Sequence, residues 1–309
     1  MGIFRLAFRN LFRNKRRTYI TMVSIALSVA LTSFMRFLTF GTHQENIDQV
    51  VELTTGYLQV AAYGWVESRR RLDRAVDYTD DLEKKLNHPD VQAISPRIAS
   101  GGLVAREEHS AFVQVQGGEP EKEKQVSTLH TRIVQGRYLE ENFEPEENDE
   151  GVLVYQAIIG KRLADNLEAD VGSILSIVGS RFDGSTGAAL VRVQGIIKTG
   201  NPELDGNYLW TDLRTARELF APGNPEQGIV RYTSIVLGTS NPLVAEDVYD
   251  DLSDKFPVPE TELPPEYAKT YDPVVLYWDE LNQDLVQYLL LDQIGNEITL
   301  AFLILIMAS

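Results

Sequence analysis

Residues 18–35 read TYITMVSIALSVALTSFM and carry no charged side chain. At about 1.5 Å per residue, a helix of this length spans roughly 27 Å, close to the hydrocarbon thickness of a bilayer. Buried helices of soluble proteins rarely run this long without a charge. A cleaved signal peptide is the main alternative, but the charged lead is long and no Ala-x-Ala-like site follows the run. We therefore predict a membrane-spanning helix over residues 18–40.

The segment before this run is strongly basic. It holds six positive charges and no acid, although the whole chain of 309 residues has a formal net charge of −16. The basic residues are Arg5, Arg9, Arg13, Lys15, Arg16 and Arg17. Positive residues that flank a span stay on the cytoplasmic side. The pattern therefore places residues 1–17 in the cytoplasm and the chain after residue 40 outside.

Three of these arginines share one helical face. Arg5, Arg9 and Arg13 recur every four residues, and apolar side chains cover most of the opposite side. Such a segment suits a membrane surface, with its apolar side in lipid and its arginines among anionic headgroups. We predict a helix on the inner membrane surface; a flexible basic tail is the alternative.

A polar ridge runs along the predicted span. Ser24, Ser28, Thr32 and Arg36 also recur every four residues. Small and polar side chains in one line favour close packing against another membrane helix. Hydroxyl groups that bond back to their own helix are the simpler alternative.

A second apolar run closes the sequence. Residues 298–309 carry no charge, but twelve helical residues reach only about 18 Å, too short to cross a bilayer. We predict that residues 294–309 are the start of a second membrane-spanning helix, cut short because the sequence is a fragment. The simplest topology places everything between the two spans, residues 41–285, outside.

The middle of the chain alternates helix-like and strand-like patterns, which indicates a mixed α+β domain. Spacing of apolar residues predicts helices over residues 80–91, 156–167 and 241–256, with Gly56 ending the helix that leaves the membrane. Alternation predicts a strand over residues 110–118, and the pair Asp183-Gly184 predicts the turn of a hairpin.

The sequence offers little for catalysis. Gly160-Lys161 lacks the first glycine of a phosphate-binding loop, so the chain itself should not bind ATP. The four histidines are isolated, and there is no cysteine. The acidic charge disfavours a nucleic-acid partner. We predict that the chain is not an enzyme and has no catalytic residue, cofactor or metal site of its own.

Five segments, in this order, resemble permease subunits of MacB/FtsX-like ABC transporters, a group that includes lipoprotein-releasing permeases. They are LAFRNLFRNKRRTYIT (6–21), IVQGRYLEE (133–141), GVLVYQAIIGKRLADNLEADVGSILSIVG (151–179), VRVQGIIKTGNPELDGNYLWTDLRTARELF (191–220) and YWDELNQDLVQYLLLDQIGNEITLAFLILI (277–306). The likeness covers essentially the whole chain, and the order of the segments is its most specific feature.

The resemblance implies a particular architecture. Such permeases have four spans and a large periplasmic domain between the first two. A porter-like part built of βαβ units would occupy residues 41–118 and 230–285, and an inserted subdomain would occupy residues 119–229. The remaining spans would lie beyond this sequence.

The resemblance also implies partners. A cytoplasmic ATPase subunit would bind ATP, a second permease copy or homologue would complete a dimer, and membrane lipids would surround the spans in a bacterial inner membrane. Two functions stay open. The chain would couple ATP hydrolysis to export of lipoproteins or other amphiphiles, or it would be a membrane-anchored regulatory or binding protein that controls envelope enzymes without moving cargo.

Overall fold

The computed structural model describes residues 15–68, 72–220, 223–224, 229–239, 242–260, 264–265 and 272–308. The chain divides into two compact units. One consists of Met1–Asp48 together with Asn282–Ser309, and the other of Gln49–Leu281.

The first unit contains two long helices. Helix α1 covers Lys15–Val50, extending into the second unit, and a later helix covers Gln283–Ala308. Within the described residues, one stretch, Lys15–His43, is long and apolar enough to cross a membrane. It contains the predicted span of residues 18–40. The predicted second span, residues 294–309, begins inside the longer helix Gln283–Ala308, and its passage through a membrane stays a prediction.

The second unit is built on strands. They are β1 (Leu58–Ala62), β2 (Val76–Asp77), β3 (Val91–Arg106), β4 (His109–Gly118), β5 (Ile133–Gly136), β6 (Glu146–Glu147), β7 (Leu153–Gly160), β8 (Ile174–Ser180), β9 (Thr186–Ile197), β10 (Tyr208–Asp212), β11 (Gly223–Asn224), β12 (Ile229–Tyr232), β13 (Ser234–Thr239) and β14 (Pro273–Tyr277).

Helices and single helical turns connect these strands. The α-helices are α2 (Asp80–Leu86), α3 (Pro120–Val126), α4 (Lys161–Asn166), α5 (Pro202–Asn207), α6 (Leu213–Phe220), α7 (Pro242–Ser253) and α8 (Trp278–Leu281), and the long last helix is α9 (Gln283–Ala308). A π-helical turn covers Val51–Thr55, and 3-10 turns cover Leu72–Arg74 and Leu129–Arg132.

Four strands form two split βαβ units. They lie in the order β14-β1-β13-β3, with each neighbour antiparallel. Helix α2 connects β1 to β3, and helix α7 connects β13 to β14. This is the ferredoxin-like arrangement, in which each pair of parallel strands is separated by a strand from the other unit. The core under it contains Leu58, Val60, Leu82, Leu86, Ile235, Leu237, Val248, Leu252 and Phe256.

The same sheet continues without a break into the chain after β4. Strand β3 pairs with β4, β4 pairs in parallel with β10, and the order proceeds through β7 and β9 to β5. Residues 119–229, which the resemblance assigns to an inserted subdomain, therefore share a sheet with the ferredoxin-like strands. The predicted boundary falls at the end of β4; the division into named subdomains stays a prediction.

One predicted helix is wrong in its first half. Residues 156–160 belong to strand β7, and only residues 161–166 are helical. Strand β7 is covered on both faces, so Ile158 and Ile159 point into two different cores and are both fully buried. A strand buried on both sides reads as a continuous apolar run, which spacing alone does not distinguish from a helix.

Other local predictions are confirmed. Helix α2 occupies Asp80–Leu86 within the predicted range, and Thr79 caps it by accepting a hydrogen bond from the Leu82 N–H. Asp183-Gly184 forms the turn between β8 and β9, with Gly184 at φ +82°.

Candidate functional site

A buried ion pair joins strand β3 to helix α3. The side chain of Arg97 is 2% exposed and that of Glu123 is 8% exposed. Nε of Arg97 donates to Oε1 of Glu123 at 2.8 Å, and Nη2 donates to Oε2 at 2.8 Å. Ser95 Oγ donates to the same Oε1 at 2.6 Å. Two parallel bonds between a guanidinium and a carboxylate fix the orientation of both side chains.

The remaining nitrogen of Arg97 reaches the segment that follows helix α1. Its Nη1 donates to the backbone carbonyl of Thr54, in the π-helical turn Val51–Thr55. The last carbonyl groups of a helix have no partner within it, so a side chain must supply one when the end is buried. Arg97 therefore bonds to the end of the incoming segment and to helix α3 at once. We call Thr54, Ser95, Arg97 and Glu123 the Arg97 junction.

Gly56 ends the incoming helical segment, as its position in the sequence predicts. Its φ is +68°, and its N–H donates to the carbonyl of Val51 at 2.7 Å. A Cβ at this position would lie 2.6 Å from Cγ1 of Val236. Gln59 Nε2 donates to the Thr55 carbonyl at 2.6 Å. Backbone conformation and close packing both require glycine here.

An apolar anchor holds the same turn. The N–H of Thr128 donates to the Glu52 carbonyl at 3.0 Å. Leu53 is buried in a cluster with Leu129, Leu139, Ile158, Ile197, Leu204 and Trp210. The turn is thus fixed by the buried Arg97, by the backbone hydrogen bond from Thr128 and by burial of its own Leu53.

The space around the ion pair allows little adjustment. A Cβ on Gly118 would lie 2.7 Å from both Cγ and Oε1 of Glu123. The Glu123 side chain cannot yield easily, because Arg97 and Ser95 hold both of its oxygens. A buried ion pair that loses one partner leaves an uncompensated charge, which is strongly destabilising. The junction is therefore stable only when complete.

The outgoing end of the domain lies beside the incoming end. Strand β1, which starts soon after Gly56, pairs antiparallel with β14, with Leu58 opposite Tyr277. Strand β14 leads directly into helix α8 and then α9. The first strand after the incoming helix and the last strand before the outgoing helix are therefore hydrogen-bonded neighbours.

A hydrogen bond links this outgoing segment to helix α7. Glu280 of α8 accepts a hydrogen bond from Tyr249 Oη at 2.9 Å, and the ring of Tyr249 lies 5.6 Å from that of Tyr277. Burial raises the pKa of Glu280 above its usual value, and the bond from Tyr249 opposes part of that rise. Helix α7 is thus tied to the segment that leaves the sheet.

The residues predicted to act at the membrane are only partly described. Arg5, Arg9 and Arg13 lie outside the described residues. Lys15, Arg16 and Arg17 are exposed and form the first turn of α1, which begins at the first described residue. Ser24 and Arg36 are exposed, whereas Ser28 and Thr32 are half-buried. Roles in membrane-surface binding and helix packing stay predictions.

The histidines lie in separate surroundings. His43 contacts Asp292, His88 contacts Asp251, His109 lies near Glu168, and the ring of His130 lies against Tyr138. Among the described residues, no three His, Asp or Glu side chains are grouped to hold a metal ion. That this chain carries no cofactor stays a prediction.

Sequence reasoning missed the Arg97 junction. Arg97 stands in the strand-like stretch VQAISPRI, and an arginine within an apolar strand is a signal for a buried partner. Glu123 gives no such signal, because it lies in the charged helix PEKEKQV beside exposed acids and lysines. The pair becomes visible only when α3 packs on β3.

Comparison with known proteins gives a family match. The sequence model of the MacB-like periplasmic core domain matches residues 18–254. Among curated proteins, the lipoprotein-releasing system transmembrane protein LolC of Neisseria meningitidis serogroup B is 24% identical over 216 residues. That alignment covers 67% of this chain and 48% of the relative, so the chain spans about half the length of the curated protein it matches.

Two solved structures match this chain at low sequence identity. The periplasmic region of MacB from Actinobacillus actinomycetemcomitans is 16% identical, with a TM-score of 0.44, over 79% of this chain and 97% of that one. The extracellular domain of the noncanonic ABC-type transporter YknZ from Gram-positive bacteria is 13% identical, with a TM-score of 0.41, over 65% of this chain and 94% of that one.

Proposed function

Because the chain belongs to the MacB-like periplasmic core domain family, matched over residues 18–254, we propose that it is the membrane subunit of an ABC transporter that exports lipoproteins or other amphiphiles. The family points to an ABC-transporter permease with an extracytoplasmic domain of the MacB, FtsX and LolC type. The substrate class comes from the relative that is named for lipoprotein release. The export activity of the complete protein is part of the proposal.

ATP hydrolysis would occur in a partner. The chain has no phosphate-binding loop in its sequence. A cytoplasmic ATPase subunit would therefore bind ATP, and this chain would need no cofactor of its own. A second permease copy or a homologue would complete the membrane part, with the six basic residues of the N-terminal segment on the cytoplasmic side.

The Arg97 junction is the observation that supports a mechanical role. A subunit that passes motion from the membrane to an outer domain needs a firm attachment where the membrane helix joins that domain. Arg97 donates hydrogen bonds both to the Thr54 carbonyl and to the Glu123 carboxylate. Leu53, next to Thr54 in the chain, is buried in the core of the sheet domain. Rigid packed elements with few alternative arrangements carry coupling between distant sites.

The strand pairing extends this argument to the outgoing chain. Leu58 and Tyr277 are opposite each other in β1 and β14. A displacement of the incoming segment would act on β1 and, through the hydrogen bonds of the ladder, on β14. We propose that the domain moves as one body in response to the ATPase, because its two connections to the membrane helices join neighbouring strands.

The proposal is tested by depleting the full-length protein in its native bacterium. Cells are fractionated, and the share of lipoproteins retained in the inner membrane is measured. We expect lipoproteins to accumulate there, and a plasmid copy to restore their release. Normal lipoprotein sorting, accompanied by altered activity of envelope enzymes, would contradict export and favour the membrane-anchored regulator.

A further inference from the structure

A polar contact network joins the two long helices of the first unit. Arg36 Nη2 of α1 lies 2.7 Å from Glu297 Oε1 of α9. His43 Nε2 of α1 lies 2.8 Å from Asp292 Oδ2 of α9. Residue numbers rise along one helix as those of their partners fall along the other, so the helices run antiparallel at these contacts.

A neutral link lies between the two charged contacts. Asn296 Nδ2 donates to Asp292 Oδ2 at 3.1 Å within α9 and reaches Thr39 Oγ1 of α1 at 3.4 Å. Arg36, Thr39 and His43 lie about one turn apart along α1, so they share one face. The contacts therefore form a continuous row across the two helices. We call Arg36, His43, Asp292 and Glu297 the charge clasp.

The clasp coincides with the ends of two uncharged runs. The run in α1 ends at Met35, immediately before Arg36. The run in α9 begins at Ile298, immediately after Glu297. Because Arg36 and Glu297 contact each other, the two uncharged runs begin at the same level of the helix pair and extend in the same direction from it.

The chemistry of these residues suits a membrane boundary. Ionisable residues within membrane-spanning helices pair with each other or face protein, because an unpaired charge in hydrocarbon is costly. Arg36 lies within the apolar stretch Lys15–His43, and its partner has the opposite charge. Arg36 and Glu297 are exposed on the surface of the helix pair. Polar contacts between membrane helices hold them together, and charged pairs along a helix–helix contact can set partner choice and orientation.

We infer that the charge clasp fixes the register of α9 against α1. We also infer that it marks, for both helices, the extracytoplasmic boundary of the inner membrane. The inference rests on the proposed function, since it places α1 and α9 in the inner membrane. It goes beyond that function by assigning the second helix its partner, its register and its depth. A shift of one helical turn between α1 and α9 would separate both charged contacts.

Register is tested by disulfide cross-linking of the full-length protein in native membranes. Residues 1–309 contain no cysteine. With any cysteine elsewhere in the full-length protein replaced by serine, Thr39→Cys with Asn296→Cys introduces one defined pair at the neutral link. We expect efficient cross-linking in this parent protein. Arg36→Glu should lower the cross-linked fraction at least threefold, and Glu297→Arg added to Arg36→Glu should restore most of it.

Two further variants keep the register test decisive. Glu297→Gln removes one charge without reversing any, and should lower cross-linking less than Arg36→Glu does. This milder variant still tests the register if the Arg36→Glu protein fails to insert into the membrane. Asp284→Arg changes an exposed carboxylate at the start of α9 that forms no ion pair with any described residue, and should leave cross-linking unchanged. Equal cross-linking in all variants, or no recovery in the charge-swapped protein, would overturn the register assignment.

Depth is tested by labelling with a maleimide that does not cross membranes. Thr42→Cys and Leu31→Cys are both exposed positions of α1, on opposite sides of Arg36 along the helix. We expect labelling at residue 42 from outside to exceed that at residue 31 at least tenfold. Equal labelling would overturn the boundary. These readouts do not depend on lipoprotein release, so failure of the clasp and failure of the export proposal are distinguishable.

Discussion

Leu58 and Tyr277 are opposite each other on neighbouring antiparallel strands, although more than two hundred residues separate them in the chain. Leu58 starts β1 just after the turn Val51–Thr55, which Arg97 binds through the Thr54 carbonyl. Tyr277 ends β14 just before α8. The two places where the chain enters and leaves the sheet domain are therefore directly bonded. This pairing makes the junction and the outgoing segment the parts of the domain where mutations are most informative.

Loss of one partner of the Arg97–Glu123 ion pair should destabilise the domain more than loss of both partners. In a fragment of residues 49–281, Arg97→Ala should lower the free energy of unfolding by about 3–5 kcal/mol, because Glu123 is left buried without its partner. Replacing both residues, Arg97→Met with Glu123→Leu, should cost clearly less than Arg97→Ala alone. Urea unfolding of the two variants measures the difference. A double variant as unstable as the single one would contradict a coupled pair.

Gly118 should tolerate no side chain. Gly118→Ala places a Cβ 2.7 Å from Cγ and Oε1 of a pinned Glu123, and we expect a loss of about 1–3 kcal/mol from overpacking. Gly206→Ala is the matched control, because its nearest neighbour is the flexible side chain of Arg162 at 3.3 Å. Gly206 lies in helix α5, where alanine is favoured over glycine. Thermal unfolding should therefore separate the two alanine variants.

The outgoing segment should weaken as its carboxyl group ionises. Burial raises the pKa of Glu280, so its carboxyl group is more readily protonated in the folded state than in the unfolded state. Its contribution to stability is fully present below the unfolded pKa, near 4.3, and is lost as pH rises through the raised folded pKa. Glu280→Gln should therefore melt at a higher temperature than the parent at pH 7.

The difference between Glu280→Gln and the parent should shrink as the pH falls through the unfolded pKa and vanish well below it, where the Glu280 carboxyl is protonated in both states. Glu108→Gln, at an exposed hairpin position, controls for a general loss of negative charge. A stabilisation by Glu280→Gln that is equal at pH 7 and well below the unfolded pKa would show that burial of this carboxylate is not its cause.

The orientation of the chain is open to a direct test. A reporter enzyme that is active only in the periplasm, fused after residue 120, should be active, because the six basic residues before Thr18 hold the N-terminus inside. A reporter that is active only in the cytoplasm, fused at the same site, should stay silent. The opposite pattern would reverse the assigned topology.

Local structure was predictable where one face of an element is exposed. The two-residue alternation of residues 110–118 and the spacing of Leu82 and Leu86 both identify the correct element. Residue spacing assigns the second half of β7 to a helix, because Ile158 and Ile159 are both buried and the alternation of a strand is absent. The span that length and composition predict over residues 18–40 lies within α1.

The candidate site was not predictable in the same way. Thr54, Arg97 and Glu123 come from three separate parts of the chain, and only pairing in the sheet and packing of α3 bring them together. Arg36 stood out in the sequence, but its partner Glu297 lies 261 residues away. Residue spacing reports on neighbours within one element and carries no information on such long-range contacts.

The central claim is that the Arg97 junction passes motion from the membrane to the outer domain. The decisive measurement compares ATP hydrolysis with lipoprotein release in proteoliposomes that contain the full-length permease and its ATPase. With Arg97→Met and Glu123→Leu together, we predict continued hydrolysis but at least tenfold slower release, since the Thr54 carbonyl loses its anchor. Lys161→Met with Asp165→Leu, which removes an exposed ion pair, should change neither rate. Release at the parent rate from the folded junction variant would contradict the account.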